Sequence, residues 1–152
     1  MKKSIFLLLL LFYNASIFSQ ETASTYDEKL AKTLNADEYG MKHYVFCLLK
    51  TGSNTKATKE ETTKLFEGHM ANINRLAKEG KLVVAGPFMK NERNYRGIYI
   101  FNANSIEEAK AFVATDPAVQ SNLLEAELTL WYGSAALQET LKIHNKIAKN
   151  KI

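Results

Sequence analysis

A single cysteine, Cys47, rules out an internal disulfide, and no CxxC or HExxH spacing is present to hold zinc. There is no phosphate-cradling loop and no activated nucleophile. No metal and no cofactor are therefore expected. The longest apolar run, Ile5 to Phe12, is interrupted by Tyr13, Asn14 and Ser16. That is too early for a spanning helix, which needs about 20 apolar residues. Basic surplus is missing as well where it would matter. The formal charge of +4 sits at the ends, because Lys2 and Lys3 open the chain and Glu139 to Ile152 holds four lysines against one glutamate. The body between is near −1 and gives no support for nucleic-acid binding. Internal repeats and low-complexity segments are absent.

What is present starts with a leader pattern. Lys2 and Lys3, the apolar run, and small polar Ser16 to Gln20 read as a signal peptide over residues 1–19, cleaved near Ser19. The alternative is an uncleaved anchor. No cysteine follows the run closely, which argues against lipoprotein processing. The expectation is a periplasmic or secreted protein with no stable membrane insertion after cleavage. Residues 20–40 are polar and read as a linker or weak helix. Residues 41–133 make one domain, and residues 134–152 a basic amphipathic C-terminal helix over Leu137 to Lys149.

Within the domain, Lys42 to Lys50 is a strand with two apolar faces, Tyr44, Phe46 and Leu48 on one and Val45, Cys47 and Leu49 on the other. Cys47 is read as buried. Thr58 and Glu61 form a capping box that opens a helix to Glu79, with Gly80 as its C-cap. Lys81 to Phe88 and Gly97 to Asn102 are strands joined by a charged turn. Ser105 and Glu108 repeat the capping box for a helix to Ala114, which Asp116-Pro117 then breaks. Glu125 to Tyr132 alternates as a strand. The order β-α-β-β-α-β is the ferredoxin-like split βαβ of the α+β class. Two helices cover one sheet face and nothing in the chain covers the other. That apolar face predicts a homodimer with sheets packed face to face.

One ionisable residue falls among the apolar positions of the first long helix. His69 lies with Leu65, Phe66, Met70, Ile73, Leu76 and Ala77. Imidazole titrates near pH ~6.5, so with an acidic partner it is a candidate general base. Asp116 is that partner by length. His69 follows its cap Thr58 by 11 residues and Asp116 follows Ser105 by 11. At ~1.5 Å per residue both lie about 16 Å from the edge where the helices start. The alternative reading is structural, with His69 a satisfied core residue and Asp116 a helix terminator. His43 and His144 read as surface residues, Trp131 and Tyr132 as packing, and Gly86-Pro87 as a strand end. Arg75 and Arg96 read as solvated charge.

The runs Tyr44-Val45-Phe46-Cys47-Leu48-Leu49, His69-Met70-Ala71-Asn72-Ile73, Glu79 to Phe88, Ser105 to Ala109 and Thr115-Asp116-Pro117-Ala118-Val119, in this order and spacing, resemble the YCII-related family of the dimeric α/β-barrel superfamily. The resemblance covers about Lys42 to Tyr132. It implies a dimeric α/β barrel and makes the helix histidine and the aspartate before proline, here His69 and Asp116, the active-site pair. A related member is a dehydrochlorinase on a chlorinated aromatic, and the superfamily includes isomerases and cofactor-free monooxygenases. This chain departs in reading as exported, where typical small members are cytoplasmic, so an intracellular substrate does not carry over.

Two functions follow. One is a small cofactor-free lyase or isomerase, in which His69 moves a proton on a small cyclic or aromatic substrate and Asp116 orients it. The alternative is a non-catalytic dimeric module that binds a small apolar ligand or a partner in the cell envelope.

Overall fold

Capping and alternation decide where the elements of this chain begin and end. The computed structural model describes residues 25–150. The expected signal peptide and its cleavage point at Ser19 lie outside the described residues. Within them are α1 (Glu28–Thr33), β1 (Met41–Thr51), α2 (Lys59–Lys78), β2 (Leu82–Pro87), β3 (Tyr95–Phe101), α3 (Ile106–Val113), α4 (Pro117–Gln120) and β4 (Leu124–Ser134). A 3₁₀ turn (Ala135–Glu139) and α5 (Thr140–Ile147) follow. No helix among the described residues is long and apolar enough to cross a membrane.

The capping box of α2 is complete. Glu61 N–H donates to Thr58 Oγ1 at 3.2 Å and Thr58 N–H donates to Glu61 Oε2 at 2.7 Å. Gly80 ends α2 with φ +70, and Lys81 N–H returns to the Leu76 carbonyl at 2.9 Å. The box of α3 is only half made. Ser105 accepts from Glu108 N–H at 3.1 Å, but the Glu108 carboxylate accepts from Asn104 N–H rather than from Ser105. Past α3, Asp116 caps a single turn that the sequence reading ended as a plain break. Pro117 supplies its first residue, where a missing N–H costs nothing.

The four strands are all antiparallel in the order β2-β3-β1-β4. This is the α+β split βαβ expected. Val45, Cys47 and Leu49 of β1 and Tyr99 and Phe101 of β3 face α2 and α3, and Leu76, Ala109, Val113 and Ala118 meet them. Each fully buried large side chain of this kind contributes about 1.5–3 kcal/mol. The face of α2 differs from expectation. His69, Asn72 and Leu76 are its buried residues, while Leu65, Phe66 and Met70 stay partly exposed.

The opposite sheet face corrects the sequence reading, which left it uncovered by the chain. Tyr44, Val83 and Ile100 form a second buried cluster there, and Leu137 packs against it. The C-terminal segment folds back over this end of the sheet. The Tyr44 hydroxyl, wholly buried, fixes it by donating toward the carbonyls of Ser134 at 3.0 Å and Ala135 at 3.3 Å. A buried phenol needs such an acceptor. Gln138 ties the same turn to the Leu34 carbonyl at 2.7 Å. The segment is thus a 3₁₀ turn and a two-turn helix, not one helix from Leu137 to Lys149. Amphipathic spacing gave its character but could not say which surface it would find. The rest of the face stays open. Phe46, Leu48 and Ile98 are half-buried, Trp131 leans on Tyr44 with ring centroids 5.9 Å apart, and a Lys50–Glu127 ion pair stands at the margin.

Candidate functional site

The expected pair meets. His69 Nδ1 lies 2.8 Å from Asp116 Oδ2, with Asp116 fully buried and His69 only 8% exposed. Two features bring them together. The capping box sets the phase of α2 so that His69 faces inward, and Asp116-Pro117 starts α4 directly against that turn. The other carboxylate oxygen, Oδ1, accepts from Ala118 N–H at 3.0 Å, so the cap of α4 and the partner of His69 are one group. A carboxylate only accepts. Nδ1 therefore carries the proton, and Nε2 keeps a lone pair available as a base.

Tyr99 completes the group, and the sequence reading missed it. Its hydroxyl donates to Asp116 Oδ2 at 3.1 Å and lies 3.4 Å from His69 Nε2. The phenol and imidazole rings stack, 30° apart in plane with centroids at 6.0 Å. Burial pushes the Tyr99 phenol well above the usual tyrosine range, and the Asp116 charge and hydrogen bond push it the same way. Tyr99 is a fixed neutral donor, not a base. Beside it on β1, Cys47 pairs in register with Tyr99. Burial first, and the Asp116 charge second, push its thiol up to about 12. A thiol held neutral is no nucleophile at neutral pH, in keeping with the buried role read from the sequence.

On the flank of the pair, Arg75 is not plain solvated charge, as expected above. It donates to Asn72 Oδ1 and Thr115 Oγ1, each at 2.8 Å, and to Glu79 Oε1 at 3.0 Å. Arg96 and His43 are exposed, and His43 packs on Tyr132 with centroids 5.4 Å apart. His144 is half-buried on α5. The structure brings none of these three to the pair. Among the described residues no cluster of three or more His, Cys, Asp or Glu could hold a metal ion.

Two surface cavities flank the site. One, of about 710 Å³, lies between α3 and β4 and is lined by Lys110, Val113, Val119, Leu124 and Leu128 among others. The second, of about 720 Å³, runs along α2 past Thr62, Phe66 and Met70. Neither is lined by His69 or Asp116. Phe66 connects the second cavity to the pair, because the same ring sets its edge against His69 with centroids 5.6 Å apart.

A family model described as YCII-related domain matches residues 43–131. No curated protein matches the chain. Among solved structures, it is similar to 5-chloro-2-hydroxyhydroquinone dehydrochlorinase (TftG) from Burkholderia phenoliruptrix AC1100, in complex with 2,5-dihydroxybenzoquinone. The identity is 19% and the TM-score 0.44, over 57% of this chain and 92% of that chain.

Proposed function

The chain belongs to the YCII-related domain family, and from that premise and the buried dyad we propose a small cofactor-free lyase or isomerase that moves a proton on a small cyclic or aromatic substrate. The observation that carries this reading is the 2.8 Å contact between His69 Nδ1 and a carboxylate that is wholly buried. His69 Nε2 takes a proton from a substrate carbon. Asp116 holds the ring in the tautomer that leaves Nε2 free and stabilises the imidazolium that forms. Returning the proton to another carbon of the same conjugated system gives an isomerisation. Expulsion of an anion from the adjacent carbon gives an elimination. A well-placed general base contributes roughly 10²- to 10⁴-fold in rate. The second cavity, with the Phe66 ring between it and His69, supports an approach for substrate along α2.

The proposal extends to a homodimer, supported by the half-open apolar sheet face. It extends also to an exported, periplasmic or secreted, protein, supported by Lys2, Lys3 and the apolar run after them. One observation favours the second reading, a non-catalytic module that binds a small apolar ligand or a partner in the cell envelope. The dyad lines neither flanking cavity.

Solvent-deuterium uptake by a panel of cyclic ketones, enones and hydroxylated aromatics, followed by NMR, separates the two. Uptake with the wild type that drops at least about 100-fold in His69→Ala and Asp116→Asn supports the enzyme. Uptake equal in the wild type and His69→Ala would leave the binding module as the better reading.

A further inference from the structure

Apart from tyrosine and Cys47, three polar side chains are buried among the described residues: His69, Asn72 and Asp116. They belong to one cluster. Asn72 follows His69 by one turn on the same face of α2, and Thr115, the neighbour of Asp116, lies 2.8 Å from Asn72 Oδ1. Asn72 Oδ1 also accepts from Arg75. The other end of the amide is different. Asn72 Nδ2 is the one buried side-chain nitrogen or oxygen among the described residues that has no hydrogen-bond partner.

Turning the amide over does not repair this. A guanidinium carries donors only, so the flipped amide would set Nδ2 against the Arg75 nitrogen. Arg75 is itself held by Thr115 and Glu79. The orientation is therefore imposed, with the acceptor end held at the Arg75–Thr115 rim and the donor end buried without a partner. A buried donor without a partner destabilises the fold, and leucine of similar size would remove that cost. Function is where such a cost persists.

We propose that Asn72 Nδ2 donates to an oxygen of the substrate, and that the substrate is a planar conjugated ring carrying a carbonyl group next to the carbon that His69 deprotonates. This deepens the proton-transfer reading and rests on it. When Nε2 takes the proton, the electron pair of the broken C–H bond moves into the conjugated system and the negative charge comes to rest on that oxygen. The Asn72 N–H then meets an oxyanion. Reprotonation at a second carbon by the imidazolium closes an isomerisation. In an elimination the pair instead expels an anion from the neighbouring carbon, and the imidazolium gives its proton to water. The Phe66 ring, which meets His69 and also lines the cavity along α2, offers an aromatic surface to a flat apolar ring. Removing one preorganised donor of this kind lowers rates by about 10²- to 10³-fold.

The test uses para-nitrophenol, a ring oxyanion whose ionisation is read by absorbance, with the full chain and the variants Asn72→Leu and His69→Ala. We expect the wild type to bind the phenolate and Asn72→Leu to bind it about 10- to 100-fold more weakly. Asn72→Leu should keep or raise the melting temperature, and His69→Ala should still bind the phenolate. The side-chain N–H₂ resonances of Asn72 in the wild type should move downfield on binding, a readout that needs no variant to fold. Absence of phenolate binding by the wild type, unmoved Asn72 resonances, or binding by Asn72→Leu equal to wild type would each overturn the proposal. The two readings fail separately. Deuterium uptake that depends on His69 but is untouched in Asn72→Leu removes only the Asn72 role. Phenolate binding through Asn72 with uptake indifferent to His69 keeps the donor and removes the proton transfer.

Discussion

Gly68 and Pro117 touch where α2 meets α4. A Cβ on Gly68 would stand 3.0 Å from Pro117 Cγ and 3.4 Å from its Cβ. The glycine precedes His69 and the proline follows Asp116, so the Pro117 ring packs on the bare helix surface beside the His69–Asp116 pair. A mid-helix glycine is about 1 kcal/mol worse than alanine. Its place next to His69 is explained by this approach.

Gly68→Ala should accordingly loosen the pair without loosening the fold. The gain in helix propensity, about 1 kcal/mol, offsets the displacement of Pro117, and stability should stay within about 1 kcal/mol of wild type. The Nδ1–H proton of His69, shifted downfield by its bond to Asp116, should move upfield or exchange away. An unmoved resonance in a folded Gly68→Ala protein would show that α4 yields without altering the dyad. Gly68→Val, with more volume at the same contact, should show both effects more strongly.

How much of this was legible in the chain differs residue by residue. Thr58 and Glu61 announce the start of α2 because a capping box is a local pattern. The equal offsets of His69 and Asp116 from their caps do not explain their contact, because β1 and β3 are antiparallel, α2 and α3 start at opposite edges of the sheet, and Asp116 stands past the end of α3 as the cap of α4. Tyr99 was out of reach because β1 and β3 are apolar on both faces, and alternation alone does not say which face meets the helices. Asn72 entered the sequence analysis only within the run His69 to Ile73 and without a role, since only Arg75 and Thr115, three and 43 positions away, reveal where its acceptor end is held. The fold-back of the C-terminal segment depends on the Tyr44 hydroxyl finding carbonyls 90 and 91 residues away. Short-range pattern carries no information about a contact at that separation.

Cys47 gives the protein an alkaline limit. Its folded thiol is raised from 9.0 to about 12, chiefly by burial. Below pH ~9 the thiol is neutral in both the folded and unfolded chain, and the contribution is fully present. Above that the unfolded thiol ionises while the folded one does not, so the unfolded state binds fewer protons and stability falls as pH rises toward about 12. The slope approaches ~1.4 kcal/mol per pH unit for one group. Tyr99, raised for the same reasons, steepens the fall above pH ~10. Denaturant melts of wild type and Cys47→Ala at pH 7, 9 and 10.5 check the sign. The variant should be less stable at pH 7 by the loss of the buried sulfur and should lose less on going to high pH. Parallel curves would mean that the thiol ionises at the same pH in both states.

The fold-back of the C-terminal segment bears on association. Residues 135–147 cover the Tyr44, Val83 and Ile100 end of the sheet and leave the Phe46, Leu48 and Ile98 end open. A second copy packed face to face has the open end available to it and meets the segment at the other. Truncation after Ser134 should therefore do two things. It strips the Tyr44 hydroxyl of the Ala135 carbonyl and exposes the second cluster, lowering stability by about 2–4 kcal/mol. It also enlarges the apolar face open to a partner, so association should strengthen. Sedimentation velocity at micromolar concentration measures both chains directly. A dimer for the full chain, and tighter or higher assembly for the truncated one, is the expected result. A full chain that stays monomeric would remove the homodimer from the proposal. A truncated chain that dissociates while the full chain pairs would place the segment within the interface, reaching across to the other copy's sheet rather than only covering its own.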